Sequence, residues 1–386
     1  MYPKFKIISE LSDVFKFTLS DVDISVANAI RRTILSDIPV VAIKTETYQD
    51  NKCTVFINTT RFHNEIVKQR LSCIPIHITD LDILPEKYLL EVDEQNDTDV
   101  VKYVTTEHFK IKNKLTNEYL PKEEIQKIFP KCVKTDSYID FVRLRPKVNE
   151  TIIGERIKLA ADFSISTSGE NSMYSVVSKC SYGFTPDMIK VNNEWIKIEN
   201  QLRQEKISES EIKFKKDNFY ILDAQRFFLE NSFDFVIQTI GVYTNIDIVK
   251  ISLDVLIFKF KYLIDKINSY EINDAYETIE YTEMIDSDKP LLITKSDTTM
   301  ENSYDISLKN VDYTIGKVLE YIMFSKYYEK EQIMNFCGFK KFHPHNSYGV
   351  LRIAFSEKKT IDDVKEYLRI SCVETIDIFE KIKQLF

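Results

Sequence analysis

Glycine is scarce in this chain of 386 residues, with only seven glycines in all. No two of them lie close enough together to form a G-x-G-x-x-G dinucleotide-binding turn. The single Gly-Lys pair, Gly316-Lys317, is followed by Val318 and lacks the upstream glycine of a P-loop. The sequence therefore disfavours nucleotide-binding enzymes of these two types.

Cysteines are few and scattered, with six in the chain and no C-x-x-C pair. They are Cys53, Cys73, Cys132, Cys180, Cys337 and Cys372. This spacing predicts reduced thiols in a cytosolic-type compartment and disfavours a zinc knuckle.

Long apolar runs and a surplus of basic residues are also missing. The most apolar stretch, "IDIVKISLDVLIFKFKYLI", is interrupted by five charged residues, so no membrane span of about 20 apolar residues is expected. The start, "MYPKFKIISEL", contains no long apolar segment, so no signal peptide is predicted. The net charge of −8 disfavours a free-standing binder of duplex DNA and favours protein partners.

The first clear pattern in the chain is the helix within "SVANAIRRTILSDIP". Ser25 is predicted to cap a helix over residues 26–37, and Pro39 to end it. Apolar residues recur at helical spacing on one face, at Ala27, Ile30, Ile34 and Ile38. Arg31 and Arg32 fall on one flank of that face, and the strand "VVAIKTETY" follows.

The middle of the chain alternates predicted strands with polar loops. A short helix is expected over Asn64–Leu71, with a strand after Pro75. Residues 192–216 are predicted to form one charged surface helix. A strand, "FDFVIQTIG", precedes a long helix capped by Thr244 or Asn245. Its predicted apolar face consists of Ile248, Ile251, Val255, Phe258, Tyr262 and Ile267.

The last part of the chain has the order β-α-β-β-α and follows an acidic segment over residues 271–302, which is predicted to be a linker. The strands and helices of this last part resemble two earlier segments taken together, the N-terminal strand and helix and those over residues 233–267. Both ends of the chain therefore look like similar half-domains. The terminal helix places Val364, Leu368, Cys372, Phe379, Ile382 and Phe386 on one face.

Candidate catalytic groups give only weak signals. The pairs Asp21-Val22-Asp23 and Asp80-Leu81-Asp82 could hold Mg²⁺, but turn or cap aspartates are the more common reading. His343-Pro344-His345 with nearby Cys337 could bind a metal, although a turn is favoured. Arg143 and Arg145 share one strand face and could contact phosphate, although a solvated or interface face is favoured. No serine, cysteine or histidine arrangement predicts a nucleophile with its base.

Several motifs together carry a family resemblance. "SVANAIRRTILSDIPVVAI" resembles the first helix and strand of the alpha-like subunits of cellular RNA polymerases. "NTTRFHNEIVKQRLSCIPIHI" resembles their downstream N-[ST]-x-x-x-[DH]-E and R-L-x-x-I-P segment, and "FVIQTIGVYTNIDIV" their closing strand and helix. The resemblance is to the archaeal D-type subunit and covers roughly Phe5 to Tyr270.

The C-terminal part resembles the small L-type partner subunit. "DYTIGKVLEYIM" is similar to its D-H-T-[LI]-G-N-x-L pattern, and "FCGFKKFHPHNSYGVLRIAFS" to its G-Y-x-x-x-H-P stretch. Tyr313 replaces the usual histidine, Lys317 the usual asparagine, and His345 stands where leucine is common. Two subunits that are separate in cells thus look fused. That arrangement, with an Ile/Lys/Asn-rich composition, resembles the polymerases of nucleocytoplasmic large DNA viruses.

The resemblance implies an α+β fold with two alpha-like dimerisation half-domains that pair intramolecularly and a mostly-β inserted domain. The implied D-type dimerisation domain is split over residues 1–47 and 215–270, and the inserted domain occupies 48–214. The linker over 271–302 and the L-type dimerisation domain over 303–386 follow. Some relatives carry a cysteine-rich metal loop in the inserted domain, but here Cys132 and Cys180 are far apart, so no metal site or cofactor is carried over.

The function implied is that of a non-catalytic assembly platform in a DNA-directed RNA polymerase. Its expected partners are the largest and second-largest subunits and small subunits of the same enzyme. DNA and RNA are expected to be contacted only through the whole complex, with no membrane contact. The expected location is the host cytoplasm, in viral factories, and the virion. A stand-alone nucleic-acid-binding module and a metal-dependent hydrolase are the alternatives.

No catalytic residue is expected, and the residues carried over are subunit-interface positions. Arg31 and Arg32 are expected to contact the second-largest subunit, with a solvated arginine pair as the alternative. The full set is Asn28, Arg31, Arg32, Ile34, Asn58, Glu65, Arg70, Thr314, Gly316, His343, Pro344, Leu368 and Phe379.

Overall fold

A computed structural model describes residues 1–11, 13–147, 149, 153–270, 289–296 and 300–386. The chain divides into two compact units. The first unit comprises residues 1–33, 180–237 and 249–386, and the second comprises residues 34–179 and 238–248. Most of the predicted acidic linker, at residues 271–288 and 297–299, lies outside the described residues.

The described chain contains both strands and helices, and the helices range from 7 to 24 residues. The strands are β1 (Lys4–Leu11), β2 (Val14–Ser20), β3 (Val40–Ala42), β4 (Cys53–Asn58), β5 (Tyr88–Gln95), β6 (Lys102–Thr105), β7 (Lys110–Asn113), β8 (Asp140–Leu144), β9 (Arg156–Asp162), β10 (Ser164–Ser166), β11 (Val177–Pro186), β12 (Phe228–Thr239), β13 (Leu291–Lys295), β14 (Ser303–Lys309), β15 (Met334–Lys340) and β16 (Tyr348–Phe355). The α-helices are α1 (Ile24–Ser36), α2 (Asn64–Ser72), α3 (Lys122–Ile128), α4 (Met188–Gln204), α5 (Glu209–Ile221), α6 (Asn245–Asn268), α7 (Tyr313–Met323) and α8 (Ile361–Lys383).

Two four-stranded sheets organise the first unit, in the orders β1-β2-β12-β11 and β13-β14-β16-β15. In the first sheet, Phe17 of β2 stacks on Phe235 of β12 with ring centroids 5.0 Å apart. The second sheet is antiparallel throughout its described pairings. The predicted β-α-β-β-α order is confirmed, and β13 adds a strand inside the range predicted as linker.

The second unit is mostly β structure. Its main sheet has the order β4-β9-β5-β7, and two small sheets pair β10 with β3 and β6 with β8. The strand predicted after Pro75 is wrong, because that stretch is irregular and His77 N–H donates to Ile128 O instead. The sequence predicts that residues 180–214 belong to the inserted domain. In the structure they group with the first unit, because β11 pairs with β12. The mixed α+β fold class, with antiparallel sheets, is confirmed.

Helix α1 begins two residues earlier than predicted. The side chain of Asp23, not of Ser25, accepts the capping hydrogen bond, from the Ser25 N–H at 2.7 Å. The predicted apolar face is confirmed, since Ala27, Ile30 and Ile34 are buried. The helix thus leaves both arginines off its buried face.

The single charged helix predicted over residues 192–216 is wrong, because the structure has two helices there. The chain turns at Lys206, whose φ of 56° ends α4, and the Ser208 side chain caps α5 by accepting from Glu211 N–H. The two helices enclose a small apolar core of Val191, Trp195, Leu202, Ile212, Phe219 and Ala224. This segment is therefore not simply a solvated surface.

Helix α6 buries only part of the predicted face, since Ile248 and Ile267 are buried as expected but the middle of that face is not. Thr244 caps it as expected, accepting from Asp247 N–H at 3.1 Å. However, Phe258 and Tyr262, expected in the core, are 68% and 51% exposed. Leu256 and Phe260, two residues before and two residues after Phe258, are fully buried instead. In the described part of the chain, no helix is both long and apolar enough to cross a membrane.

Candidate functional site

The arginine pair of α1 makes two unlike sets of contacts. Arg32 donates from Nε to Thr314 Oγ1 and from Nη2 to Asp312 Oδ2, each at 2.7 Å. Arg31 donates from Nε and Nη2 to Asn28 Oδ1, one turn earlier on its own helix, at 3.0 and 2.9 Å. Arg32 therefore joins the N-terminal helix to the start of α7, whereas Arg31 is held locally.

Asp312 is the N-cap of α7, and its carboxylate accepts hydrogen bonds from both α7 and α1. Its Oδ1 accepts from Thr314 N–H and its Oδ2 from the Thr314 hydroxyl, both at 3.0 Å. Burial by itself raises the pKa of Asp312, but hydrogen bonds from Arg32 and Thr314 and the charge of Arg32 hold that pKa below its usual value. The carboxylate is thus kept ionised at a helix N-terminus, where the helix dipole also favours negative charge.

A second contact joins α6 to α8. The rings of Phe260 and Phe379 are both fully buried, with centroids 6.0 Å apart. At the edge, Lys383 Nζ lies 2.5 Å from Asp254 Oδ1. The contact therefore has an apolar centre with an ion pair beside it, the usual arrangement of a protein interface.

The final residue extends this contact to the first sheet. The ring of Phe386 lies 4.3 Å from that of Phe5 and 5.1 Å from that of Phe17, measured between centroids. Aromatic pairs at these distances contribute beyond the area they bury. We call the α1–α7 and α6–α8 contacts, with the Phe386 cluster, the internal interface.

Gly316 shapes the end of α7 that faces β15. A Cβ atom at Gly316 would overlap the ring of Phe339, and so would one at Gly349 of β16. The Tyr313 ring packs edge-on against Phe339, with centroids 5.5 Å apart. Glycine at position 316 is therefore required by the close approach of an aromatic ring.

The remaining predicted site residues of the first unit divide into core and surface. Thr314 and Leu368 are buried, whereas His343 and Pro344 are exposed on the loop between β15 and β16. The rings of His343 and His345 lie 5.1 Å apart. Cys337, however, is buried and directs its Sγ to Glu320 O, so it does not join the two histidines.

The predicted site residues Ile34, Asn58, Glu65 and Arg70 belong to the second unit. Ile34 is buried. Asn58 Oδ1 accepts from Thr60 N–H, closing a tight turn before α2. Arg70 donates to the backbone carbonyls of Phe141 and Asp140 of β8, at 2.7 and 2.8 Å, and Glu65 is exposed. Arg70 therefore ties α2 to β8.

The aspartate pairs considered for Mg²⁺ have structural roles. Asp21 pairs with Lys4 at 2.9 Å, and Asp23 caps α1. Asp80 Oδ1 accepts from Asp82 N–H at 3.0 Å within a turn. Over the described ranges, no three His, Cys, Asp or Glu side chains are grouped as metal ligands.

Sequence reasoning missed the residues that complete the internal interface. Asp312 could have been found as a helix cap, because Asp-Tyr-Thr directly precedes an apolar helical pattern. Its contact with Arg32 spans 280 positions, and no local pattern signals it. The same holds for the ion pair of Asp254 and Lys383, which are 129 positions apart.

Comparison with known proteins identifies the relatives. The family model of the RNA polymerase Rpb3/Rpb11 dimerisation domain matches residues 16–260. DNA-directed RNA polymerase subunit Rpo3 of Methanosphaera stadtmanae is 24% identical over 287 residues, covering 66% of this chain and 95% of that protein.

Two further relatives match shorter parts. Subunit Rpo3 of Thermococcus kodakarensis is 38% identical over 73 residues, or 19% of this chain and 26% of that protein. Subunit 3 of DNA-directed RNA polymerases II, IV and V of Arabidopsis thaliana is 23% identical over 197 residues, or 49% and 59%. The match spans about a quarter of the length of the Thermococcus kodakarensis subunit and about three fifths of the length of the Arabidopsis thaliana subunit. Because the family model matches more than half of this chain, the chain belongs to the RNA polymerase Rpb3/Rpb11 family of alpha-like subunits and is homologous to Rpo3.

Proposed function

We propose that this protein is a non-catalytic assembly platform of a multisubunit DNA-directed RNA polymerase. The observation that carries the proposal is the internal interface, in which elements from the two ends of one chain pair through α1 with α7 and α6 with α8. Pairing of alpha-like domains is the property for which the matching family is named. The active centre is proposed to lie in other subunits.

The proposed pairing joins a D-type part, residues 1–47 and 215–270, to an L-type part, residues 303–386. In support, the family match ends at residue 260, and the C-terminal sheet and helices α7 and α8 follow it. The Phe260–Phe379 contact and the Arg32–Asp312 pair each have one partner in either part. A fused pair would remove the entropy cost of bringing two separate subunits together.

The largest and second-largest polymerase subunits are the proposed partners, and nucleic acid is reached only through them. Arg31 is the residue of the arginine pair best suited to the second-largest subunit, since its described hydrogen bonds go only to Asn28. The exposed loop carrying His343 and Pro344 is a second proposed docking point. The source is proposed to be a nucleocytoplasmic large DNA virus, with the protein in viral factories and virions.

The test is co-expression of the full chain with the two largest polymerase subunits of the same organism. Both large subunits are expected to co-purify with it. Arg31→Glu is expected to weaken this association strongly while lowering the free energy of unfolding by no more than about 0.5 kcal/mol. Lys213→Glu, at an exposed lysine of α5, serves as the matched control. A wild-type chain that purifies alone would refute the assembly role, and an Arg31→Glu chain that retains both large subunits as well as Lys213→Glu does would refute the docking role of Arg31.

A further inference from the structure

The second unit contains a cleft of about 680 Å³. It is bordered by the short 3-10 helix Thr106–His108, by the first residue of β7 and by helix α3. All of its lining residues lie between positions 94 and 138, so it belongs to this unit alone. Sites for small molecules usually measure roughly 300–1,000 Å³, and this cleft therefore has the volume of such a site.

The walls of the cleft are largely aromatic. Phe109 and Phe129 are buried, and their rings pack edge-on with centroids 5.3 Å apart. Tyr119 and Tyr138 line the same cleft and are more exposed. Aromatic side chains favour offset-stacked or edge-on contacts with another ring. The walls therefore suit a ligand with a flat aromatic body.

Thr106 brings an unsatisfied polar group to the cleft. The residue is 1% exposed, and its hydroxyl has no hydrogen-bond partner among the described residues. Its backbone groups are both satisfied, because its N–H donates to Ile139 O at 3.0 Å and its carbonyl accepts from Phe109 N–H at 3.3 Å. A buried hydroxyl without a partner is destabilising, and native proteins rarely keep one. Because Thr106 lines the cleft, a polar atom of a bound ligand would satisfy this hydroxyl.

The carboxylates that line the cleft are already paired. Glu107 Oε1 lies 3.0 Å from Lys122 Nζ, and Glu94 Oε2 lies 2.7 Å from Lys102 Nζ. Each negative charge thus has a lysine beside it, so the cleft is not arranged to hold a cationic ligand.

Of the two lysines that line the cleft, Lys110 is the one without a partner. Within the described part of the chain it forms no hydrogen bond and no ion pair. Glu91 lies opposite Lys110 in the pairing of β5 with β7, but the Glu91 carboxylate accepts a hydrogen bond from the Tyr119 hydroxyl at 2.6 Å. The Lys110 ammonium group is therefore available to a ligand with a single negative charge.

We propose that this cleft binds a small aromatic carboxylate. The ring of the ligand packs against the aromatic walls, its carboxylate pairs with Lys110, and the Thr106 hydroxyl forms a hydrogen bond with one of its polar atoms. The inference goes beyond the proposed assembly role and does not depend on it, because the cleft is complete in the free chain.

Two other occupants are disfavoured by the same residues. A phosphate monoester or a nucleotide would bring a second negative charge near Glu94 and Glu107, whose own lysines are already engaged. A strand of another subunit would need a free sheet edge, but the outer edge of β7 is covered by its own chain. There Leu120 N–H donates to Ile111 O, and Asn113 N–H donates to Glu118 O, both at 2.8 Å.

The experiment is isothermal titration calorimetry of the full chain with 2-naphthoate as the probe. We expect one site per chain, and about tenfold weaker binding of 2-naphthamide, which has the same shape without the charge. Lys110→Gln should weaken 2-naphthoate about tenfold and leave the affinity for 2-naphthamide unchanged. Thr106→Val should weaken both probes about fivefold without lowering the urea midpoint, because it removes a hydroxyl that has no partner in the free chain.

The matched control is Lys127→Gln, because Lys127 is exposed on α3 but does not line the cleft. Its affinity for 2-naphthoate should stay unchanged. Equal affinities for the two probes, or equal effects of Lys110→Gln and Lys127→Gln, would overturn the inference. So would the absence of saturable binding up to about 1 mM, or a lower urea midpoint for Thr106→Val, since the hydroxyl would then already have a partner. Loss of 2-naphthoate binding when the two large subunits are added would identify a segment of another subunit as the occupant and would also overturn it.

Discussion

The Arg32→Gln change should lower the free energy of unfolding of the first unit by about 1–2 kcal/mol at pH 7. Arg32 makes two charge-assisted hydrogen bonds, to Asp312 and Thr314. Such bonds contribute about 1.5–3 kcal/mol each when well shielded. The side chains of Arg32 and Asp312 are 42% and 44% exposed, so solvent screening reduces the sum towards the roughly 0.2–1 kcal/mol measured for exposed pairs.

The matched control for this change is Arg31→Gln on the same helix. Arg31 contacts only Asn28 among its described hydrogen-bond partners, so its loss should cost about 0.2–0.5 kcal/mol. Urea unfolding followed by circular dichroism measures both variants. A double-mutant cycle with Asp312→Asn should give a coupling energy of about 1 kcal/mol for Arg32 and close to zero for Arg31. Equal effects of the two arginine variants would refute the role of Arg32.

The effect of Arg32→Gln should also depend on pH. The pKa of Asp312 is lower in the folded chain than in the unfolded chain, where an aspartate has a pKa of about 3.9. Stability from this carboxylate is therefore fully present above the unfolded pKa and is lost as the pH falls through the folded pKa. The difference between wild type and Arg32→Gln should thus be constant from about pH 5 to pH 7 and shrink below about pH 4. A difference that grows in acid would contradict this assignment.

Three further outcomes follow from the packing and the thiols. Phe379→Ala removes a fully buried ring and should cost about 3–5 kcal/mol in urea unfolding, whereas an exposed-site control should cost under about 0.5 kcal/mol. Gly316→Ala forces a methyl group into the Phe339 ring and should cost about 1–3 kcal/mol; if pairing it with Phe339→Leu restores no stability, the proposed overlap is wrong. Iodoacetamide at pH 7 should label Cys132, whose pKa is lowered by a hydrogen bond involving the Thr135 side chain, faster than Cys73, whose pKa burial raises; peptide mapping that finds the reverse order would contradict those pKa directions.

Much of the helical core could be predicted from sequence periodicity. The apolar face of α1 and that of α8, from Val364 to Phe379, are buried as predicted. Both patterns repeat over several turns, and each helix buries one stripe against a sheet or helix. For α6, periodicity predicted the buried Ile248 and Ile267 at the two ends of the helix but not the buried residues between them, because its sequence is apolar on more than one face. The choice between Phe258 and Phe260 depends on what packs against the helix, which local sequence does not state.

Other differences have equally local causes. The polar sequence of residues 192–216 predicts one helix, yet the turn at Lys206 and the cap at Ser208 divide it into two helices that pack around Trp195. The strand Leu291–Lys295 is not predicted, because the acidic residues before it dominate that part of the sequence and favour a linker. The intramolecular partner of Arg32 could not be predicted, since a contact across 280 positions depends on the tertiary fold.

The most direct test of the central claim is the native mass of the polymerase that contains this chain. We expect one copy of the chain with one copy each of the largest and second-largest subunits, and no separate small alpha-like subunit. The chain free of partners should then be a monomer, because the proposed D-type and L-type parts would pair with each other within one chain. Two copies per complex, or a separate L-type subunit beside it, would contradict the account.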